Sequence, residues 1–275
     1  MPARAYRIFK KKLVTMFLQE PAHHPNDLEL KVLGFPVRVS WTFWAAAAVI
    51  GYRLANQLDI AFEEQSPGLM VLLAIWGACI FVSITIHELG HALAFRKFGI
   101  ESRIVLYFMG GMAIPTRSSG FRDGLTPKQA MWVSIAGPIA QIASAIVFIL
   151  LLAAASYAAP IPWPLDQLEP IRRLAAGKLI DSPALSAMAF MYIQPSIHWA
   201  LLNLIPVWPL DGGRFMHSLI QLNGGSIVTT LKLGVVTAGL MAFLAFSSEM
   251  TFLLFMFLIL GWNNFQAVQQ LQQSR

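Results

Sequence analysis

Five consecutive residues, His87-Glu88-Leu89-Gly90-His91, have the types and spacing for metal chemistry. On a helix, residues 87 and 91 lie one turn apart on the same face, and residue 88 projects close beside them. Two imidazoles so placed can grip one zinc ion, and the carboxylate then stands next to the metal's open position, where it can take a proton from water. The same five residues could be ordinary helix surface, but their setting argues otherwise. Residues 69 to 86 carry no charge. Imidazole and carboxylate groups are costly at membrane depth unless they are paired or functional.

The elements that must position these groups follow from composition. Of 275 residues, 56% are hydrophobic and 12% charged, with a mean hydropathy of +0.60. A soluble domain carries about twice that share of charge, so the chain reads as an all-α polytopic membrane protein. The net charge of +6 does not indicate nucleic acid. Its basic residues gather at the ends of apolar runs, which is the positive-inside pattern and not a binding stripe. Cys79, the single cysteine, excludes an intrachain disulfide. His23 and His24 fall in a polar stretch and read as a solvated pair.

About six transmembrane helices are expected, near 41–54, 68–98, 130–159, 184–206, 226–246 and 250–270. Residues 1–33 read as a cytoplasmic tail, basic at Arg4, Arg7, Lys10, Lys11 and Lys12, with no cleaved signal. Its patch LVTMFL suits a membrane-surface segment or a plain cytosolic tail equally well. Val37-Arg38-Val39 reads as a short strand. Residues 34–225 form the expected core, and 226–275 add two helices and a polar tail. Between spans two and three, IVLYFM (104–109) is strand-like and Gly110-Gly111 is a turn signal. With Arg103, Arg117, Arg122 and Lys128 around it, this reads as a short re-entrant β-hairpin on the cytoplasmic side, an ordinary surface hairpin being the other possibility. An exposed strand edge at 104–109 could hold an extended peptide by strand addition. Pro195 is expected to kink span four.

Topology then singles out a third ligand. Spans two and four end on the same side, so Asp211 emerges at the depth of the two histidines and can supply a carboxylate oxygen, leaving the fourth zinc position for water. Glu63, Glu64, Asp166, Glu169 and Asp181 fall on the opposite side, and Glu101 and Asp123 lie in the hairpin's basic flanks. His198 reads as a packed or cavity-lining polar group, His217 as interfacial, and Arg214 as a headgroup anchor.

His87-Glu88-Leu89-Gly90-His91 with Asn203-Leu204-Ile205-Pro206-Val207-Trp208-Pro209-Leu210-Asp211-Gly212-Gly213 resembles the site-2 protease family of intramembrane zinc metalloproteases. Gly110-Gly111 and Ala136-Gly137-Pro138 extend the likeness over roughly residues 34–225. The plan looks most like the compact sporulation-type branch, without a PDZ-like insertion or a CBS pair. The resemblance implies Zn2+ held by His87, His91 and Asp211, with Glu88 as general base. It implies cleavage within or next to the transmembrane helix of a single-span membrane-protein substrate, in a multi-pass protein of a bacterial or archaeal cell membrane with both termini cytoplasmic. An upstream protease or regulatory membrane protein is a conceivable partner. Asn203 fits either an amide donor to the reaction's oxyanion or a helix–helix hydrogen bond. Leu106, Tyr107, Phe108, Gly110 and Gly111 are the expected substrate-binding residues. Many relatives carry Asn where this chain has Gln141, which leaves a polar role there open.

Two other readings compete with proteolysis at the membrane helix. A protease of prenylated carboxyl termini usually draws its third ligand from a glutamate, against which the Leu-Asp-Gly motif speaks. A scaffold or transporter on the same bundle would be expected to lose Glu88 or a ligand, or to show paired broken helices.

Overall fold

The computed structural model describes residues 20–116 and 124–273. The basic amino-terminal residues, and Arg117, Arg122 and Asp123 after the hairpin, lie outside the described residues. The chain divides into two compact units, one mainly Ala22–Phe121 with Ala136–Leu202, the other mainly Arg122–Ile135 with Asn203–Arg275.

The first unit begins with a hairpin whose first strand falls in the expected tail and whose second contains the expected strand Val37-Arg38-Val39. Strand β1 (Leu28–Val32) pairs antiparallel with β2 (Phe35–Val39). Leu33 and Gly34 close it with φ of 50° and 84°, the two-residue turn whose twist suits antiparallel strands. Leu33 gives the sequence no turn signal, which is why β1 escaped notice. Ser40 then caps helix α1 (Trp41–Phe62) by accepting from the Thr42 N–H. The helix continues past Arg53, where a shorter span was expected. An exposed arginine on the outer face does not interrupt the backbone ladder, and its stem can lie along apolar surface.

Helix α2 (Leu69–Lys97) follows, ending in Arg96 and Lys97, whose charges suit the negative end of the helix dipole. Strands β3 (Ser102–Tyr107) and β4 (Gly110–Pro115) complete a sheet of order β1-β2-β3-β4. β2 and β3 run parallel, with Val37 opposite Ile104 and Val39 opposite Leu106. Parallel neighbours need a long crossover, and α1 with α2 provides it.

Two expectations about the hairpin are corrected here. The strand at 104–109 has no open edge, because β3 is paired on both sides and the outer edge belongs to β4. The turn is Phe108–Met109, both exposed, and Gly110-Gly111 begins the second strand. A four-stranded sheet thus accompanies the helices, where a hairpin and a separate short strand at Val37-Arg38-Val39 were expected.

Phe35, Val37, Val39, Ile104 and Leu106 on one sheet face pack with Phe43 of α1 and with Ile84, Leu89 and Ala92 of α2. Burial of such side chains is worth about 1.5–3 kcal/mol each and clamps the sheet onto the part of α2 that carries the histidines. Further along, Gly51 admits the Trp76 ring, whose Nε1 donates to the Ala47 carbonyl at 2.8 Å.

The remaining helices are α3 (Pro127–Ala154), the short α4 (Glu169–Leu174), α5 (Pro183–Asn203), α6 (Asp211–Leu222), α7 (Ile227–Ser247) and α8 (Thr251–Gln273). Pro195 lies inside α5. In the second unit α7 and α8 are joined by three residues and pack through Ala238, Ala242, Phe257 and Leu260 together with Val207.

Helices α2, α3, α7 and α8 are long and apolar enough to cross a membrane. Their outward faces expose Val147, Val236, Phe243, Phe252 and Ile259, an apolar surface that water would penalise and lipid would cover. The chain is a multi-pass membrane protein. α1 and α5 have 22 and 21 residues, spans of roughly 30 Å at about 1.5 Å per residue, but they are less apolar.

Candidate metal centre

His87, Glu88 and His91 sit in the carboxyl-terminal half of α2, and all three are buried. The i, i+4 spacing brings the two imidazoles edge to face. Their Nε2 atoms lie 3.1 Å apart. Two nitrogens bound to one tetrahedral zinc at 2.0–2.1 Å would stand about 3.3 Å apart, so the pair already has the spacing of two ligands on one ion.

Three glycines make room for these side chains. A Cβ on Gly90 would run into the Ala136 carbonyl and the Ala140 methyl, so α2 and α3 touch at small residues. A Cβ on Gly137 would overlap the His91 ring. A Cβ on Gly111 would overlap the Glu88 side chain, its carboxylate Oε1 included. Ala136-Gly137-Pro138 and Gly110-Gly111, expected from their small size to allow close approach and a turn, therefore also define the space around a histidine and a glutamate.

The other face of His87 meets Gln141 of α3. His87 Nδ1 and Gln141 Oε1 are 2.8 Å apart, Gln141 Nε2 donates to Ser83 Oγ at 2.8 Å, and Ser83 Oγ lies 2.8 Å from Ser196 Oγ of α5. All four residues are buried. Sequence alone leaves the role of Gln141 open and does not single out Ser83 or Ser196. A signal existed for Ser83, which stands one turn before His87 on the same face, whereas Ser196 becomes a neighbour only through folding.

In the second unit Asp211 is the first residue of α6 and is buried. A helix amino terminus favours a carboxylate. Gly212 and Gly213 lie against the backbone of Leu204, Ile205 and Val207, which folds residues 203–210 tightly over the start of α6. Asn264 of α8, fully buried, donates to the Trp208 carbonyl at 2.7 Å and so ties the same loop to the helical pair. Asn203 is half-buried at the end of α5.

Other expected residues are distributed as follows. Leu106 is fully buried in the sheet–helix core and Tyr107 is buried, while Phe108 is exposed at the hairpin tip. His198, expected to be packed or cavity-lining, is exposed, with Nδ1 2.9 Å from the Gln194 carbonyl of its own helix. His217 contacts the Thr230 hydroxyl at 3.1 Å and stands edge-on to Trp208.

The sequence pattern of Peptidase family M50 matches residues 76–247. The putative zinc metalloprotease sll0528 of Synechocystis is 31% identical over 193 residues, 69% of this chain and 42% of that protein. The zinc metalloprotease MJ0392 of Methanocaldococcus jannaschii is 24% identical over 202 residues, covering 73% and 47% of the two chains. The putative zinc metalloprotease Rip3 of Mycobacterium tuberculosis is 26% identical over 212 residues, covering 76% and 47%. The chain thus spans less than half the length of these relatives. Among solved structures, the site-2 protease from Methanocaldococcus jannaschii aligns with a TM-score of 0.47 at 21% identity, over 88% of this chain and 95% of that one.

Proposed function

The chain belongs to Peptidase family M50, and on that premise we propose that it is an intramembrane zinc metalloendopeptidase. Its substrate is a single-span membrane protein, cut within or next to its transmembrane helix. The observation that carries the reading is the pair of buried imidazole nitrogens 3.1 Å apart, with Glu88 beside them, on a helix apolar enough to cross a bilayer. A scaffold would have no use for that costly arrangement.

His87, His91 and Asp211 are the proposed zinc ligands. Two imidazoles and a carboxylate, all buried, are a donor set of the catalytic kind, with three protein ligands and one position left open. When bound, zinc supplies Lewis acidity, polarising the scissile carbonyl and bringing the ionisation of a water toward neutrality. Glu88 accepts the proton of the attacking water and delivers it to the amide nitrogen as the C–N bond breaks. The Asn203 side-chain amide donates to the oxygen on which negative charge develops.

A helical substrate must unwind before its carbonyl can be attacked. The β3–β4 hairpin, read as re-entrant, offers to the unwound stretch the edge of β4 that no strand covers among the described residues. Tyr107 and Gly110 flank the two-residue turn, and bonded pairs alternate from there. The backbone groups of Gly111 and Ala113 therefore point away from β3, and Gly111 lies against Glu88. Backbone pairing at Gly111 would bring a bound strand alongside the proposed base. With α1 and α5 counted as spans, the chain crosses the membrane six times and places both termini in the cytoplasm.

Purified protein should contain about one zinc per chain, falling sharply in His87→Ala or Asp211→Ala. Full zinc retention in Asp211→Ala would remove Asp211 from the set. Glu88→Gln should keep zinc and fold but lose at least about a hundredfold in cleavage. Substantial turnover by Glu88→Gln would show that another group is the base. Co-expression of that variant with candidate single-span proteins identifies the substrate as the one that accumulates uncut.

A further inference from the structure

We infer that Gln141 is a positioning residue for the metal site, holding His87 in the one tautomer that can bind zinc through Nε2. The inference rests on the zinc reading above and concerns a residue outside the proposed ligand set.

Neutral imidazole carries one proton on either nitrogen, and only the bare nitrogen can ligate. His87 Nε2 faces His91 Nε2, so the proton must be on Nδ1 if Nε2 is to bind metal. Gln141 presents its carbonyl oxygen to Nδ1 at 2.8 Å, an acceptor that bonds only to the Nδ1–H form. The opposite amide orientation would offer an N–H to Nδ1 and select the form that cannot ligate. Orientation of the carboxamide is thus the decisive variable.

Ser83 and Ser196 engage the amide in that orientation. Ser83 and His87 are one turn apart on α2, and the Gln141 amide spans that turn, its oxygen on the histidine and its nitrogen on the serine. Ser83 accepts the amide N–H, and its hydroxyl shares a hydrogen bond with that of Ser196 on α5, in which either oxygen can donate. The chain ties three helices of one unit together through four residues, of which Gln141, Ser83 and Ser196 are at most 1% exposed. A buried polar group is costly if left unmatched, so apolar packing alone would not place an amide and two hydroxyls there. Partners of this kind on a ligating histidine typically contribute about 10–100-fold to metal affinity.

Three variants of the full chain, purified in detergent and stripped of metal, test this by chelator competition for zinc. Gln141→Leu keeps much of the volume but offers no acceptor and should weaken zinc binding about 10–100-fold. Gln141→Glu can only accept from Nδ1–H and should bind zinc within a few-fold of the parent. Ser83→Ala leaves the amide free to turn and should weaken binding several-fold. In the metal-free parent, nitrogen NMR of labelled histidine should place the His87 proton on Nδ1, and Gln141→Leu should lose that preference. Unchanged zinc affinity in Gln141→Leu, or an equal loss in Gln141→Glu, overturns the inference by reducing Gln141 to packing. Should Gln141→Leu fail to melt cooperatively, Ser83→Ala decides, and parental affinity there overturns the inference. A parent chain that binds no zinc would instead refute the metalloprotease reading, while the metal-free tautomer still reports on Gln141.

Discussion

The residues around the histidine pair are closely confined, and that confinement separates two kinds of damage. Gly137 borders the His91 ring and Gly111 borders the Glu88 carboxylate. A methyl group at either position must displace its neighbour, an overpacking that typically costs about 1–3 kcal/mol. Gly137→Ala should therefore weaken zinc binding by at least about tenfold, because it moves a proposed ligand. Gly111→Ala should leave zinc content near that of the parent while cleavage falls about a hundredfold, because it moves the proposed base. Zinc content and cleavage measured together on both variants check the distinction. If Gly111→Ala loses zinc as fully as Gly137→Ala, then β4 supports the whole centre and not Glu88 in particular.

At the level of elements, the sheet limits where the proposed extended substrate could pair. Val105 faces β4 and Leu106 faces β2, so proline at either position removes a ladder bond inside the sheet and should cost the fold. Ala113 lies on the outer edge, where proline is structurally tolerable but deprives a docking strand of an N–H. Ala113→Pro should bind zinc and melt like the parent yet cleave poorly, with Ala113→Val as the control for bulk. Full cleavage by Ala113→Pro would place the substrate elsewhere.

The same sheet is anchored by Asp27, which bonds Arg38 Nη1 at 3.1 Å in a pair of nearly buried side chains. Burial pushes the Asp27 carboxyl up, but the His24 and Trp41 N–H groups, the Arg38 charge and the Ser40 hydroxyl outweigh it and hold it below the usual range. A carboxyl depressed on folding stabilises the protein at neutral pH and loses that contribution as pH falls through its folded-state value. Asp27→Asn should accordingly melt lower than the parent near neutrality, and the gap should close in acid. A gap independent of pH would assign the loss to packing.

For the whole molecule the test is orientation. In a Cys79→Ser background, a cysteine at 166, beside α4, should react with an impermeant reagent on intact cells, whereas one at Lys128, at the start of α3, should not. The reverse pattern would overturn the assignment of the proposed site to the cytoplasmic face. Six crossings would follow only if α1 and α5 prove to be spans, which the same labelling applied on either side of each would establish.

Sequence alone determined the features set by local spacing. Uncharged runs produced the long helices, and the i, i+4 histidines placed two imidazoles on one face of α2, whereas the helix that begins at Asp211 had no such signal. The first two depend on residues within a few positions, which is the range of helix geometry and helix capping. The tertiary structure alone decided which strand is interior, that β1 exists, that Gly111 borders Glu88, and that Gln141 joins His87 to Ser83. The two Gln141 contacts join residues 54 and 58 positions apart, and the Ser83–Ser196 contact 113. Apolar helices in a bilayer gain little specificity from hydrophobicity, so packing of small residues and a few buried hydrogen bonds fix which faces meet. No periodicity along the chain encodes that choice.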